Sequence, residues 1–292
     1  MKHLFTTLAI ALAIPGISTA QEQKLDVTTL TENLHMLSGN GGNIGLMTGP
    51  DGTFLIDDQM APVGPLLKET IKMLGGEQPR FLLNTHYHFD HTGGNEAIGN
   101  ADTAIVSHDN VRKRLKNGST ISAFDAKTPP APASALPVVT FSQSMHFHLN
   151  GETLRAVHFP RAHTDGDSAV YFEESNIVHT GDIFFNGLYP FIDTENGGSI
   201  VGTIAAVQKL IATTDNNTKI IPGHGPLATR ADLIAYQDML TFANASMRDL
   251  KKAGKTVEQA IAADPLVDYD AKWSGGLFTT AKWIELLYDS VI

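Results

Sequence analysis

The sequence predicts an α/β fold: two β-sheets packed face to face, with helices on the outside. Three observations carry that prediction. Both halves of the chain run through strands before they reach helices. No internal repeat of fixed period divides it. At 42% hydrophobic, its 292 residues can bury a substantial core, as one large domain or two small ones.

Residues 1–20 read as a signal peptide. "MKHLF" supplies a positive start, "TLAIALAI" an apolar run, and Ser18-Thr19-Ala20 a small-residue cleavage signature. The run is too short to span a bilayer, and no later stretch approaches the required length. Cleavage after Ala20 leaves 21–292 as the mature domain, expected to be exported to the periplasm without stable membrane association. The chain has no cysteine, so core packing or metal must hold an exported protein that lacks disulfides, and no thiolate can ligate a metal. A net charge of −10 with no basic groove argues against nucleic acid as a partner and leaves a small-molecule substrate.

The elements follow in order. "KLDVTTLTENLHMLSG", "NIGLMTG" and "GTFLIDD" read as a β-meander, interrupted by the turn-rich "SGNGGN" and "GPDG". Residues 62–76 carry helical apolar spacing and close on glycines. "RFLLNT" is a short strand, "TAIVSH" another, and "DNVRKRLKNG" a helix ended by Gly118. Residues 119–137, rich in Pro, Ala and Ser and without period, read as a loop: either a surface linker or a lid. Strands resume with "PVVTF", "MHFHL", "TLRAVHF", "SAVYFEE" and "NIVHTG". The helix "SIVGTIAAVQKLIATT" precedes the strand "TKIIPG". The tail is helical, with a capping box at Thr256 and Gln259.

One stretch asks for a cation. "NTHYHFDHTGGN" places His86, His88, Asp90 and His91 within six residues. Period-two alternation at the end of a strand aims His86 and His88 the same way. Asp90 and His91 fall on the turn that Gly93-Gly94 permits, where they can face a neighbouring point. His163 in "PRAHTDGD", Asp182 in "HTGD" and His224 in "IPGHG" each sit at a strand end beside a glycine or turn. The seven nitrogen and oxygen donors suit two zinc ions if one carboxylate bridges and one water is shared.

His-x-His-x-Asp-His followed by single His, Asp and His after strands resembles the metallo-β-lactamase superfamily, over nearly all of the mature chain. The resemblance implies a four-layer αβ/βα sandwich of two mixed sheets with external helices and a site at the sheet edges. It implies a first zinc on His86, His88 and His163, a second on Asp90, His91 and His224, and Asp182 as the bridge. Zinc lowers the pKa of bound water from 15.7 to about 7, so the implied reaction is attack by metal-bound hydroxide on a carbonyl. Asp90 would orient that hydroxide as well as bind metal. Imidazole and carboxylate accept iron as readily as zinc. Relatives that use a diiron centre for redox chemistry generally carry Glu at the position of His88, which favours zinc hydrolysis.

Other residues have plainer readings. His146 and His148 line one face of a strand; His158 and His179 are core histidines near ligands; His35 and His108 pack or lie at the surface. Asp165 and Asp167 shape a turn. Asp57 is expected to support the metal loop by hydrogen bonding, and Thr85 and Asn95 to position backbone. Export suits a β-lactamase, and β-lactam amides are the leading substrate, with lactones, other esters and thioesters as alternatives. An iron-dependent oxidoreductase is the competing class. Two departures weaken the β-lactam reading. Phe185 stands where similar zinc β-lactamases carry a carboxylate-gripping lysine, and "SGNGGN" is shorter and more polar than their apolar flap. A β-lactam would then need another anchor, such as Asn186, Tyr189 or the 119–137 loop. Phe184, Phe185, Tyr189 and Phe191 form either an apolar wall or core.

Overall fold

Side-chain alternation along the strands explains the layers of this fold. The computed structural model describes residues 24–291. The signal peptide expected at 1–20 lies outside them. Strands β1 (Asp26–Thr29), β2 (Leu34–Ser38), β3 (Ile44–Met47) and β4 (Thr53–Ile56) form an antiparallel meander. Helix α1 (Gly64–Met73) returns the chain so that β5 (Pro79–Asn84) runs parallel to β4. Short helices α2 (Phe89–Thr92) and α3 (Asn95–Ile98) lead to β6 (Ala104–His108), parallel to β5. After α4 (Asp109–Asn117), β7 (Ser119–Ile121) and β8 (Ala126–Thr128) form a separate hairpin. Strand β9 (Val139–Phe141) completes a seven-stranded sheet of order β1-β2-β3-β4-β5-β6-β9.

The second sheet is built from β10 (Ser144–Leu149), β11 (Glu152–His158), β12 (Ser168–Phe172), β13 (Ile177–His179) and β14 (Lys219–Ile221), in that order. Its pairs are antiparallel except β13 with β14, which α5 (Ile200–Ala212) connects. Helices α6 (Arg230–Lys252), α7 (Val257–Ala262), α8 (Asp270–Trp273) and α9 (Thr280–Tyr288) complete the chain.

Successive residues of a strand point to opposite faces, so each strand feeds two cores. Leu55, Leu82 and Ile105 pack with Leu67 and Ile71 of α1. Their neighbours Phe54, Leu83 and Val106 pack between the sheets with Phe147, Leu154 and Val170. Tyr171, Val178 and Ile220 of the second sheet meet Val207, Leu233 and Tyr236 of α5 and α6. The layers are therefore helix, sheet, sheet, helix, as the resemblance implies. Phe54, Phe81 and Phe147 meet between the sheets at centroid distances of 4.9 to 5.9 Å. Phe54→Ala is expected to cost about 3–5 kcal/mol.

The structure departs from the sequence reading in three places. The first strand-like segment is two strands, because Leu34 N donates to Thr31 Oγ1 and turns the chain. Residues 119–137 are not a featureless loop: β7 and β8 pair there, and Gly118, at φ +75°, lets α4 end and the hairpin begin. His86 and His88 lie beyond the end of β5. His88 is the extended cap of α2, so Asp90 and His91 sit on a helical turn rather than a free one. The capping box at Thr256 and Gln259 forms as expected, and Thr229 with Asp232 makes a second.

Candidate metal centre

Four segments converge at one edge of the sandwich: the chain after β5, the β11–β12 loop, and the chain after β13 and after β14. Local geometry sets each one. Asp57 accepts from Thr85 N, from Thr85 Oγ1 and from His91 Nδ1, all at 2.7 Å, and so ties the two ends of the histidine-rich loop together. Asn84 and Asn95 exchange side-chain hydrogen bonds of 2.9 Å across the same loop. His179 accepts from Gly181 N at 3.1 Å and faces Asn43 O with its other nitrogen, which shapes the turn that carries Asp182. Gly181 has φ +50°, and a Cβ there would meet Thr85 at 2.7 Å, so the glycine of "HTGD" is required twice over.

All seven side chains named from the sequence come together, in the two groups the resemblance implies. His86, His88, His163 and Asp182 offer donor atoms within 4.8 Å of one another, as do Asp90, His91 and His224. Asp182 stands between the groups. Its Oδ2 is 3.6 Å from His86 Nε2 and 3.4 Å from His163 Nε2, while its Oδ1 is 3.0 Å from His91 Nε2 and 3.5 Å from His224 Nε2.

Hydrogen bonds on the far side of each ring decide which nitrogen faces inward. His163 Nδ1 donates to Phe191 O at 2.7 Å, and His88 Nε2 donates to Asp193 at 3.0 Å. The proton of Thr85 Oγ1 is committed to Asp57, so that hydroxyl accepts from His86 Nδ1 at 3.1 Å. The inward nitrogens are then lone pairs, yet His88 Nδ1 is 3.1 Å from His86 Nε2 and 2.9 Å from His163 Nε2. Asp182 Oδ1 has no hydrogen-bond partner among the described residues. Electron pairs crowded this closely fit a cation between them, and the donor set of imidazole and carboxylate fits a metal ion.

The same crowding governs protonation. Burial disfavours charge on His86 and His163, lowering both pKa values, that of His163 to about 4. Burial acts the same way on His91 and His224, but Asp182 and its neighbouring carboxylates outweigh it. Both are raised, His224 to about 9. Asp90 resists burial through His91 and His224 and is held at about 2.

Asp193 is the site residue that sequence reasoning missed. It accepts from His88 Nε2, Tyr87 OH and both ways from Asn196 Nδ2 at 2.9 and 2.8 Å. Asn196 also donates to Thr120 O of the hairpin and accepts from Arg114, whose guanidinium forks onto Asp165 at 2.6 and 2.8 Å. "FIDTEN" carries no spacing signal; only the fold brings it behind His88. Asp167 caps the His163 turn by accepting from Thr164 N at 2.8 Å, and burial pushes its carboxyl up to about 7. His146 and His148 lie on the exposed face of β10, away from the centre. His158 stacks on His108 at 3.6 Å between centroids.

A cavity of about 320 Å³ opens over the centre, reaching His88, Asp90, Asp182 and His224. Ile121, Phe124 and Ala126 of the hairpin line it, which favours the lid reading of this segment over the linker. Asn40 brings the "SGNGGN" turn to the same wall. Neither Asn186 nor Tyr189 is an anchor: Asn186 donates to Pro226 O, and Tyr189 is buried against Trp283. Phe185 and Phe191 belong to the cavity wall, whereas Phe184 packs in the core against Tyr236.

Residues 37–224 match the family described as the metallo-beta-lactamase superfamily. A probable metallo-hydrolase of Methanocaldococcus jannaschii is 30% identical over 215 residues, 71% of this chain and 94% of that one. An acyl-coenzyme A thioesterase of Gallus gallus is 24% identical, over 64% of this chain and 73% of its own. Among solved structures, the sec-alkylsulfatase Pisa1 from Pseudomonas sp. superposes with a TM-score of 0.69 at 14% identity, covering 92% of this chain and 50% of that one. This chain thus spans half the length of that protein. The protein TTHA1623 in a di-iron-bound form superposes with a TM-score of 0.54 at 27% identity, covering 67% of this chain and 93% of that one. With the family matched across both halves of the site, from the early meander to His224, the chain belongs to the metallo-β-lactamase superfamily and is a metal-dependent hydrolase of that family.

Proposed function

We propose that the protein is an exported hydrolase that holds two zinc ions and cleaves carbonyl substrates with an activated water. One observation carries the two-ion reading: the two oxygens of Asp182 face different groups of donors. His86, His88 and His163 would hold one ion, Asp90, His91 and His224 the other, and Asp182 both. Zinc bound there would supply hydroxide at neutral pH and a Lewis acid for a carbonyl oxygen.

The chain's own residues do the rest. Asp90, 18% exposed at its side chain, reaches the cavity and is the catalytic carboxylate that orients the attacking water. His224, 17% exposed, borders the same space. Asp57 and Asp193 hold the rings of His91 and His88 in register. Carbonyl chemistry is supported by the similarity to a thioesterase, and export by the charged, apolar and small-residue pattern of residues 1–20.

The test is metal content and turnover measured on one sample of protein purified without added metal. About two zinc ions per chain with hydrolysis of β-lactams, lactones or thioesters supports the reading. Stoichiometric iron with an absorbing centre overturns the zinc reading and supports instead the iron-dependent class; similarity to a protein seen in a di-iron-bound form makes iron the metal to test against. N-terminal sequencing of protein recovered from the periplasm tests export: the expected mature chain begins at Gln21.

A further inference from the structure

The rim of the cavity bears on what enters it. Phe89 and Phe124 are each 41% exposed and Leu277 is 58% exposed, although large apolar side chains gain by burial. They come from three separate segments, namely α2, the β7–β8 hairpin and the chain before α9, yet all line this one cavity. A contiguous apolar rim of this kind marks a binding surface. Further in, Ile121, Phe185 and Phe191 carry the apolar wall to the donor groups. Phe124 meets Phe191 edge-on at 4.9 Å and stacks with Phe278 at 5.8 Å, so the hairpin tip is fastened to that wall.

Charge is distributed just as unevenly. Among the described residues, no lysine or arginine lines the cavity, and Asn40 is its one polar side chain outside the metal centre. Phe185 stacks on the His224 ring at 4.9 Å and 21°, filling the space beside the second donor group. A carboxylate held against that apolar wall would lose its hydration with no lysine or arginine there to compensate.

Resting on the hydrolase reading above, we propose that the site takes an uncharged ester, open-chain or cyclic, whose apolar acyl chain lies along Phe124, Phe191 and Leu277. It discriminates against substrates with a carboxylate beside the scissile bond, β-lactams included. In the reaction, water's oxygen bonds to the acyl carbon and the acyl–oxygen bond breaks. The products are the carboxylate, the alcohol and one proton.

The experiment compares p-nitrophenyl esters from acetate to octanoate, and a penicillin with its methyl ester, on the zinc-loaded mature protein. Calorimetric binding of methyl ketones of matching chain length is measured alongside. The expected kcat/KM rises about fourfold per added methylene until the cavity is filled. Phe124→Ala and Leu277→Ala flatten that rise, and the penicillin methyl ester outruns the free acid. A flat chain-length series, or faster turnover of the free penicillin, overturns the proposal and leaves the hydrolase reading standing. Ketone binding that strengthens with chain length, without turnover of any ester, supports the proposal for the cavity and overturns the hydrolase reading. If either variant fails to fold, the ketone series on the unaltered protein still decides.

Discussion

The two donor groups differ in how the chain holds them. His86, His88 and His163 are buried, and each has the far side of its ring fastened, to Thr85, Asp193 and Phe191 O respectively. In the second group only His91 is fastened that way, by Asp57, while Asp90 and His224 remain open to the cavity. A fastened group gives up little freedom on binding metal; an open one can meet substrate and exchange water. The contrast assigns anchoring to one half of the site and exposure to the reaction to the other.

Removing what joins the halves should have the largest effect. Asp182→Ala is expected to lower turnover by roughly a thousandfold and to take bound metal below two ions per chain, read by kinetics with metal analysis. Retention of two ions with ordinary turnover would show that the carboxylate does not bridge.

The fastening itself is tested next. Asp193→Ala should weaken metal binding at the buried group by about 10–100-fold, measured by chelator competition and the absorption spectrum of the cobalt-substituted protein. Asp193→Asn, which keeps an acceptor for His88, should restore part of the affinity. If both variants bind metal like the parent, Asp193 merely packs.

Backbone shape at the open half is subtler. A Cβ on Gly42 would lie 2.1 Å from His91 Cε1 and 2.2 Å from Nε2. Gly42→Ala is therefore expected to displace the ring, destabilise the fold by about 1–3 kcal/mol and weaken metal at the open group first. Urea melts with and without zinc would measure both effects, and unchanged stability in the two melts would refute the clash.

The smallest expected effect lies outside the centre. Burial lowers the pKa of both His108 and His158, which stack on one another. Between those lowered values and 6.5 the unfolded chain binds more protons, so their contribution to stability is full above about pH 6.5 and declines as pH falls below it. His108→Gln/His158→Gln should lose less melting temperature than the parent between pH 7.5 and pH 5. Parallel curves for the two proteins would remove the pair from the pH response.

Much of this was legible because ligand chemistry constrains residue type and spacing together. "HYHFDH" needs alternating histidines followed by an Asp-His pair, and the strand, turn and helix order of the chain was equally plain. Less legible was Asp193, which is adjacent in sequence to nothing it serves, and the hairpin at 119–128, whose short strands pair mainly with each other and carry no apolar period. Asn186 and Tyr189 failed as anchors because burial, not composition, decided which side chains reached the cavity.

By itself the sequence determined the layered fold and the seven donors, since periodicity and donor identity are local properties of the chain. Only the tertiary structure decided how those donors divide, which nitrogen of each ring faces inward, and that an apolar rim without cationic side chains covers them. Those features depend on distances between segments as remote as His88 and Asp193 or Phe124 and Leu277. Packing alone sets such distances.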